Sequence, residues 1–96
     1  MRTRVAIVGA GPAGLLLAHL LDLAGIDSVL IERQTPEHVA GRIRAGVLES
    51  STVDVLRPAG LAGRLLAEGD EHHGIHLQWP GERHRIDFMA HVGRPV

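Results

Sequence analysis

Three glycines in the run Gly9-Ala10-Gly11-Pro12-Ala13-Gly14, the acidic Glu32 and the arginines Arg33, Arg42 and Arg44 are the residues of this chain whose types and spacing suit a chemical task. Glycines spaced this way let a backbone turn sharply out of a strand, approach a pyrophosphate closely and pack the following helix tightly on a sheet. A carboxylate about 20 positions further on, at the tip of the next strand, accepts hydrogen bonds from ribose hydroxyls. The pattern points to binding of a dinucleotide with its pyrophosphate at a helix N-terminus. Arg33 falls within reach of an adenine or a phosphate. Arg42 and Arg44 flank Ile43 and project to one side of an extended segment, which suits a clamp for a pyrophosphate or second nucleotide, although taken alone the pair is more simply read as two solvated charges. There is no nucleophile elbow and no paired-carboxylate arrangement, so no catalytic residue is assigned. His72, His73 and His76 lack a supporting carboxylate or thiolate set at metal-ligand spacing, so no metal site is assigned either.

The elements that must position these residues follow from the hydrophobic pattern. Val5-Ala6-Ile7-Val8 reads as a strand, and Pro12 suits the first helical position because its missing N–H has no partner there anyway. The helix is expected to run from Pro12 to about Ala24, with Gly25 as its stop. Ser28 to Ile31 reads as a second strand, buried on both faces of a parallel sheet, with Glu32 at its carboxyl end. Pro36 to Ala40 reads as a short helical turn, and Glu49 to Leu56 and Leu61 to Ala67 as short helices, the last ending at Gly69. The period then changes. Ile75, Leu77 and Trp79 alternate with polar residues, as do Ile86 and Phe88, which predicts a β-hairpin with Ile75 facing Ile86. Pro80-Gly81 does not favour the primed turns of two-residue hairpins, so a four-residue loop, Trp79 to Glu82, is expected. The fold class is α/β, a Rossmann-like βαβ unit followed by short helices and a hairpin.

Composition narrows the function classes. The chain has 96 residues, 10 of them Arg and none Lys, and a net charge of −1, which gives no electrostatic reason to expect nucleic acid. Cysteine is absent, which excludes disulfides and thiolate metal sites and fits a reducing compartment. Val5 to Leu21 carries no charged residue and follows Arg2 and Arg4, a superficial likeness to an export signal. Glycine and proline interrupt it, and it falls short of the ~20 apolar residues that span a bilayer. No membrane association and a cytoplasmic location are expected. Leu15, Leu16, Leu17, Leu20, Leu21 and Leu23 surround the first helix, which calls for burial on more than one face. The chain also reaches Val96 without a closing element, and both features lead to the expectation of an N-terminal piece of a larger protein.

Three stretches carry a resemblance: Val5-Ala6-Ile7-Val8-Gly9-Ala10-Gly11-Pro12-Ala13-Gly14-Leu15-Leu16-Leu17, Ile31-Glu32-Arg33-Gln34-Thr35-Pro36 and Gly41-Arg42-Ile43-Arg44-Ala45-Gly46-Val47-Leu48-Glu49. Together they closely resemble the N-terminus of the single-component FAD-dependent aromatic hydroxylases, in particular the 4-hydroxybenzoate 3-monooxygenase family. The glycine run followed by Glu-Arg is shared by many FAD enzymes, whereas the second and third stretches are much narrower. The likeness covers essentially the whole chain and corresponds to about the first quarter of such an enzyme, a size that usually means more than one domain.

The resemblance implies that residues 1–96 are the N-terminal part of an FAD-binding domain, incomplete without the rest of a larger FAD/NAD(P)-binding fold and inactive alone. It implies FAD as cofactor, with its pyrophosphate on the backbone at Gly9, Gly11, Ala13 and Gly14 and its adenosine ribose on Glu32. Arg42, Ile43, Arg44, Ala45, Gly46 and Val47 would pass along the FAD toward the flavin ring, with Arg44 near the pyrophosphate. Arg33, Gln34 and His38 match a segment that the family associates with the nicotinamide coenzyme. Ala13 stands where many members have Ser, which keeps the N–H. His38 stands where NADPH-using members often have Tyr, which leaves NADPH and NADH both open. The implied activity is that of a flavoprotein monooxygenase of aromatic catabolism, using NAD(P)H and O₂ to convert 4-hydroxybenzoate to 3,4-dihydroxybenzoate, and a homodimer of the longer protein is compatible with it. Another FAD-dependent phenol hydroxylase or oxidoreductase, or an inactive dinucleotide-binding remnant, are the alternative readings.

Overall fold

Two short apolar strands on either side of a leucine-rich helix build the first of two units, Met1–Ala45, in this computed structural model, which describes residues 1–44 and 46–96. β1 (Val5–Val8) and β2 (Ser28–Ile31) pair in parallel, Val5 opposite Ser28 and Val8 opposite Ile31. Parallel strands need a crossover, and α1 (Pro12–Leu23) supplies it. Its first internal bond runs from the Leu15 N–H to the Gly11 carbonyl at 2.9 Å. Its end is a Schellman motif: Gly25 takes φ +70°, its N–H donates to the Asp22 carbonyl at 2.9 Å, and the Ile26 N–H donates to the Leu21 carbonyl at 2.8 Å. Gly25 therefore stops the helix as its sequence position predicts. α2 (Pro36–Gly41) follows, with Pro36 in its first turn and the Thr35 hydroxyl accepting the His38 N–H at 3.2 Å, a side-chain N-cap.

α1 packs on both strands, and Ile7 and Ala10 are the buried residues of this unit. Ala6 and Val8 point to the other face of β1 and are exposed. The expectation that β2 is buried on both faces is corrected: Ile31 is 54% exposed, because a single helix covers a single face of the pair. The leucines around α1 show the same geometry from the helix side. The strands occupy one side of it, and Leu15, Leu17 and Leu23 remain about half exposed.

The second unit, Gly46–Val96, contains α3 (Ser50–Leu56), α4 (Gly63–Glu68), β3 (Gly74–Trp79), β4 (Glu82–Asp87) and α5 (Phe88–Val92). Ala59 and Ala62, in the α3–α4 connection, are its buried residues. β3 and β4 are antiparallel with Ile75 opposite Ile86, as the alternation predicts. Two expectations are corrected. Pairing continues to Trp79 opposite Glu82, so the loop is the two residues Pro80 and Gly81 and not four. Gly81 has φ +83°, and after a proline this is the φ pair of a type II turn. The strand ends compensate for a turn whose twist does not favour hairpins. Trp79 Nε1–H donates to Glu82 Oε2 at 3.2 Å, His84 Nε2 lies 3.0 Å from the same oxygen, and the Trp79 and His84 rings stack at 4.8 Å.

The second correction is at Phe88, which does not continue the strand. The Asp87 carboxylate accepts the Met89 and Ala90 N–H groups at 2.9 and 3.3 Å, opening α5, and Gly93 at φ +70° ends it. Beyond it, His72 and Val96 exchange backbone hydrogen bonds of 2.6 and 2.9 Å, and Arg94 forms a bidentate ion pair with Asp54 at 2.6 and 2.7 Å. Among the described residues, no helix is long and apolar enough to cross a membrane.

Candidate functional site

The glycine run is shaped by where β1 ends. The Gly9 N–H donates to the Ile31 carbonyl at 2.7 Å, which carries the parallel ladder one residue past β1. Gly9 then turns away at φ +110°, a conformation that costs a residue with a side chain about 1–3 kcal/mol. Gly11 caps α1 with no side chain to satisfy the first-turn N–H groups, so those of Ala13 and Gly14 are the free donors that a helix N-terminus offers to an anion. Gly14 has a packing role. A Cβ there would stand 2.0 Å from the Gly9 carbonyl oxygen and 3.3 Å from Ile7 Cγ2, so α1 meets the turn too closely for any side chain.

A groove of about 830 Å³ opens beside this turn, lined among others by Gly9, Gly11, Glu32, Arg33, Arg42 and Arg44. Val8, Ala10, Ile31, Gln34, His38 and Val39 complete it. Its charged lining is three guanidinium groups against one carboxylate, a balance that attracts a polyanion. The Arg44 guanidinium is close to the loop, since a Cβ on Gly11 would lie 3.6 Å from its Nη2. Arg42 and Arg44 share this groove.

Glu32 stands at the end of β2, and both its carboxylate oxygens are engaged. Oε2 accepts the Ala10 N–H at 2.8 Å and Oε1 accepts the Gln34 N–H at 2.9 Å. The Ala10 N–H first, then that of Gln34, hold its carboxyl below the ordinary glutamate range, against a small opposing desolvation and with the neighbouring Arg33 adding to the shift. A carboxylate has about four lone-pair sites. Those that the backbone leaves free are open to ribose hydroxyls.

The donor set fits an adenine dinucleotide: a glycine turn with room for backbone approach, a helix N-terminus with free N–H groups, an ionised carboxylate at the neighbouring strand end and three guanidinium groups. Of the residues singled out by the sequence, the structure brings Gly9, Gly11, Glu32, Arg33, Arg42 and Arg44 to one groove, with Gln34 and His38. Ala13 and Gly14 stand in the first turn of α1. Ile43 is almost fully exposed. Ala45 lies outside the described residues. Gly46 and Val47 belong to the second unit, where they border a separate hollow of about 420 Å³. Sequence reasoning missed Ala10 as a partner of Glu32, because nothing in a pattern of residue types reveals that a carboxylate turns back onto a loop 22 positions earlier.

Comparison with known proteins agrees with this geometry. The family described as FAD binding domain matches residues 2–95. The p-hydroxybenzoate hydroxylase of Acinetobacter baylyi is 48% identical over 90 residues, covering 94% of this chain and 22% of that protein. A 3-(3-hydroxy-phenyl)propionate/3-hydroxycinnamic acid hydroxylase of Burkholderia vietnamiensis is 44% identical over 67% of this chain and 11% of its own length. The phenol 2-monooxygenase of a Pseudomonas species is 36% identical over 75% of this chain and 12% of its own. The chain thus spans less than a quarter of the length of these relatives. With its glycine turn, its strand-end carboxylate and a family match across nearly every residue, the chain belongs to the FAD binding domain family.

Proposed function

We propose that this chain is the N-terminal, FAD-binding part of a flavoprotein monooxygenase that hydroxylates 4-hydroxybenzoate to 3,4-dihydroxybenzoate at the expense of NAD(P)H and O₂. The observation that carries the reading is the convergence of the Gly9–Gly11 turn, Glu32, Arg33, Arg42 and Arg44 on one groove. The likeness to a p-hydroxybenzoate hydroxylase over 94% of the chain supports the choice of substrate. Each turnover consumes one NAD(P)H, one proton and one O₂, places one oxygen atom on the ring and releases the other as water. A cytoplasmic site follows from the need for NAD(P)H.

In this reading the N–H groups of Ala13 and Gly14 receive the pyrophosphate, with Arg44 against its negative charge. Glu32 accepts the ribose hydroxyls. Arg33, Gln34 and His38, in the same groove, face the nicotinamide coenzyme, and Arg42 and Arg44 follow the FAD toward the flavin ring. FAD, when bound, supplies the transfer of reducing equivalents from the nicotinamide to O₂. The chain's own residues bind and orient it.

The test has two steps. FAD fluorescence quenching titrated with the protein that carries this segment measures the flavin site, and no quenching would overturn the reading at its base. In the protein that carries this segment, NADPH and NADH oxidation is then followed with and without 4-hydroxybenzoate while 3,4-dihydroxybenzoate is measured. Stimulation with matching product is the expected result. Tight flavin without stimulation would reassign the chain to another FAD-dependent phenol hydroxylase or oxidoreductase.

A further inference from the structure

Glu32 has a geometry that a ribose contact alone does not require. Its two oxygens bind the N–H of Ala10, inside the glycine turn, and that of Gln34, two residues after Glu32 itself. One carboxylate thus bridges the turn that follows β1 to the segment that follows β2. The turn is already tied to β2 through the Gly9 N–H and the Ile31 carbonyl. A second tie one residue later fixes the direction in which the chain leaves the strand, and with it the position of Gly11 and the first N–H groups of α1.

Taking the groove as the FAD site proposed above, we propose that Glu32 is a positioning residue that holds the glycine turn in its pyrophosphate-receiving shape before any nucleotide arrives. An ionised carboxylate meets the requirement best, because both groups it faces are donors and each of its oxygens accepts. A glutamine in its place has one acceptor oxygen and would turn an NH₂ toward the other N–H. The carboxyl's depressed pKa agrees with this, its leading causes being the same two N–H groups.

The experiment uses the ¹⁵N-labelled protein that carries this segment, stripped of nucleotide. In Glu32→Gln, amide hydrogen exchange is expected to speed up about 10- to 100-fold at Ala10 and Gln34, the range of a lost hydrogen bond to a charged group, while the hairpin amides from Gly74 to Asp87 keep their protection. Unchanged exchange at Ala10 would overturn the proposal. Should the substitution unfold the chain, the unsubstituted protein still decides. As pH falls, the Ala10 and Gln34 amide shifts are expected to move with one common midpoint, below the ordinary glutamate value, and two amides that ignore that titration overturn the proposal.

Inorganic pyrophosphate separates positioning from ribose binding because it has no ribose. Removing a negative charge would by itself tighten binding of an anion, so several-fold weaker pyrophosphate binding in Glu32→Gln supports the positioning role. Binding as tight or tighter would leave Glu32 a ribose contact only. Because the amide readouts are taken without nucleotide, a chain that shows them yet binds no FAD refutes the flavin reading and not the anchor.

Discussion

Gly14→Ala and Gly11→Ala differ by one methyl each, three residues apart, and the structure assigns them opposite outcomes. At Gly14 the new Cβ would stand 2.0 Å from the Gly9 carbonyl oxygen, more than an ångström inside ordinary contact. Gly9 cannot retreat freely, since its N–H is held by Ile31 at 2.7 Å. Relief requires α1 to lift from the turn or that hydrogen bond to break. Overpacking costs about 1–3 kcal/mol and a lost backbone bond about 1 kcal/mol, offset by about 1 kcal/mol from the better helix propensity of alanine. The net loss is about 1–3 kcal/mol, a large share of the stability of a small chain.

At Gly11 the Cβ meets, among the described residues, only Arg44 Nη2, at 3.6 Å, and the backbone at φ −74° suits alanine. Stability should change by less than about 1 kcal/mol, the gain in unfolded-state entropy opposing the poorer N-cap. The methyl instead projects beside the groove, and FAD affinity should fall about tenfold or more, ~1.4 kcal/mol. Urea denaturation gives the first quantity through the midpoint at constant m-value, and FAD fluorescence quenching gives the second. A Gly14→Ala chain as stable as the unsubstituted one, or a Gly11→Ala chain that loses as much stability as Gly14→Ala, would refute the assignment of packing to one glycine and ligand approach to the other.

Other substitutions probe the remaining supports. Gly81→Ala, at φ +83°, should cost the hairpin about 1 kcal/mol, read as faster exchange of the β3–β4 amides, while Gly81→Asn should cost less. Thr35→Ala removes the cap on His38 and should lower stability by about 0.5–2 kcal/mol, with Thr35→Ser near neutral in thermal melts. The Arg94 guanidinium holds the Asp54 carboxyl below its ordinary range. The stabilisation from this pair is therefore complete above the ordinary aspartate pKa and is lost as pH falls through the lowered one. NMR titration of Asp54 should show that midpoint rise in Arg94→Ala and, to a lesser degree, at high salt.

The glycine turn, both ends of α1 and the Ile75–Ile86 register were legible in the sequence because each is decided within a few residues. Pro12 and Gly25 bracket the helix by their φ preferences, and alternation over β3 and β4 admits one register with the apolar side chains on one face. Phe88 was misread because it falls on the apolar phase of that alternation. The Asp87 side chain captures the next two N–H groups, and local capping outweighs the period. The short loop at Pro80-Gly81 was missed because the Trp79, Glu82 and His84 side chains, not the turn residues, secure the strand ends. The groove was legible as a list of residues and not as a place. Arg42 and Arg44 joined Glu32 there through the path of the chain after α2, which no local pattern encodes.

The parallel pair formed by β1 and β2 has consequences for the handling of this polypeptide. Taken by itself, the two-stranded sheet of the described residues has two outer edges, each with N–H and C=O groups able to pair with a further strand. The side chains beside those edges include Val8 and Ile31, both exposed. Self-association should therefore begin there and grow with concentration. The exposed Arg2 and Arg4, just ahead of β1, carry the like charges that keep two such edges apart. Neutralising them, by substitution or with high salt, should lower the concentration at which the chain ceases to be monomeric.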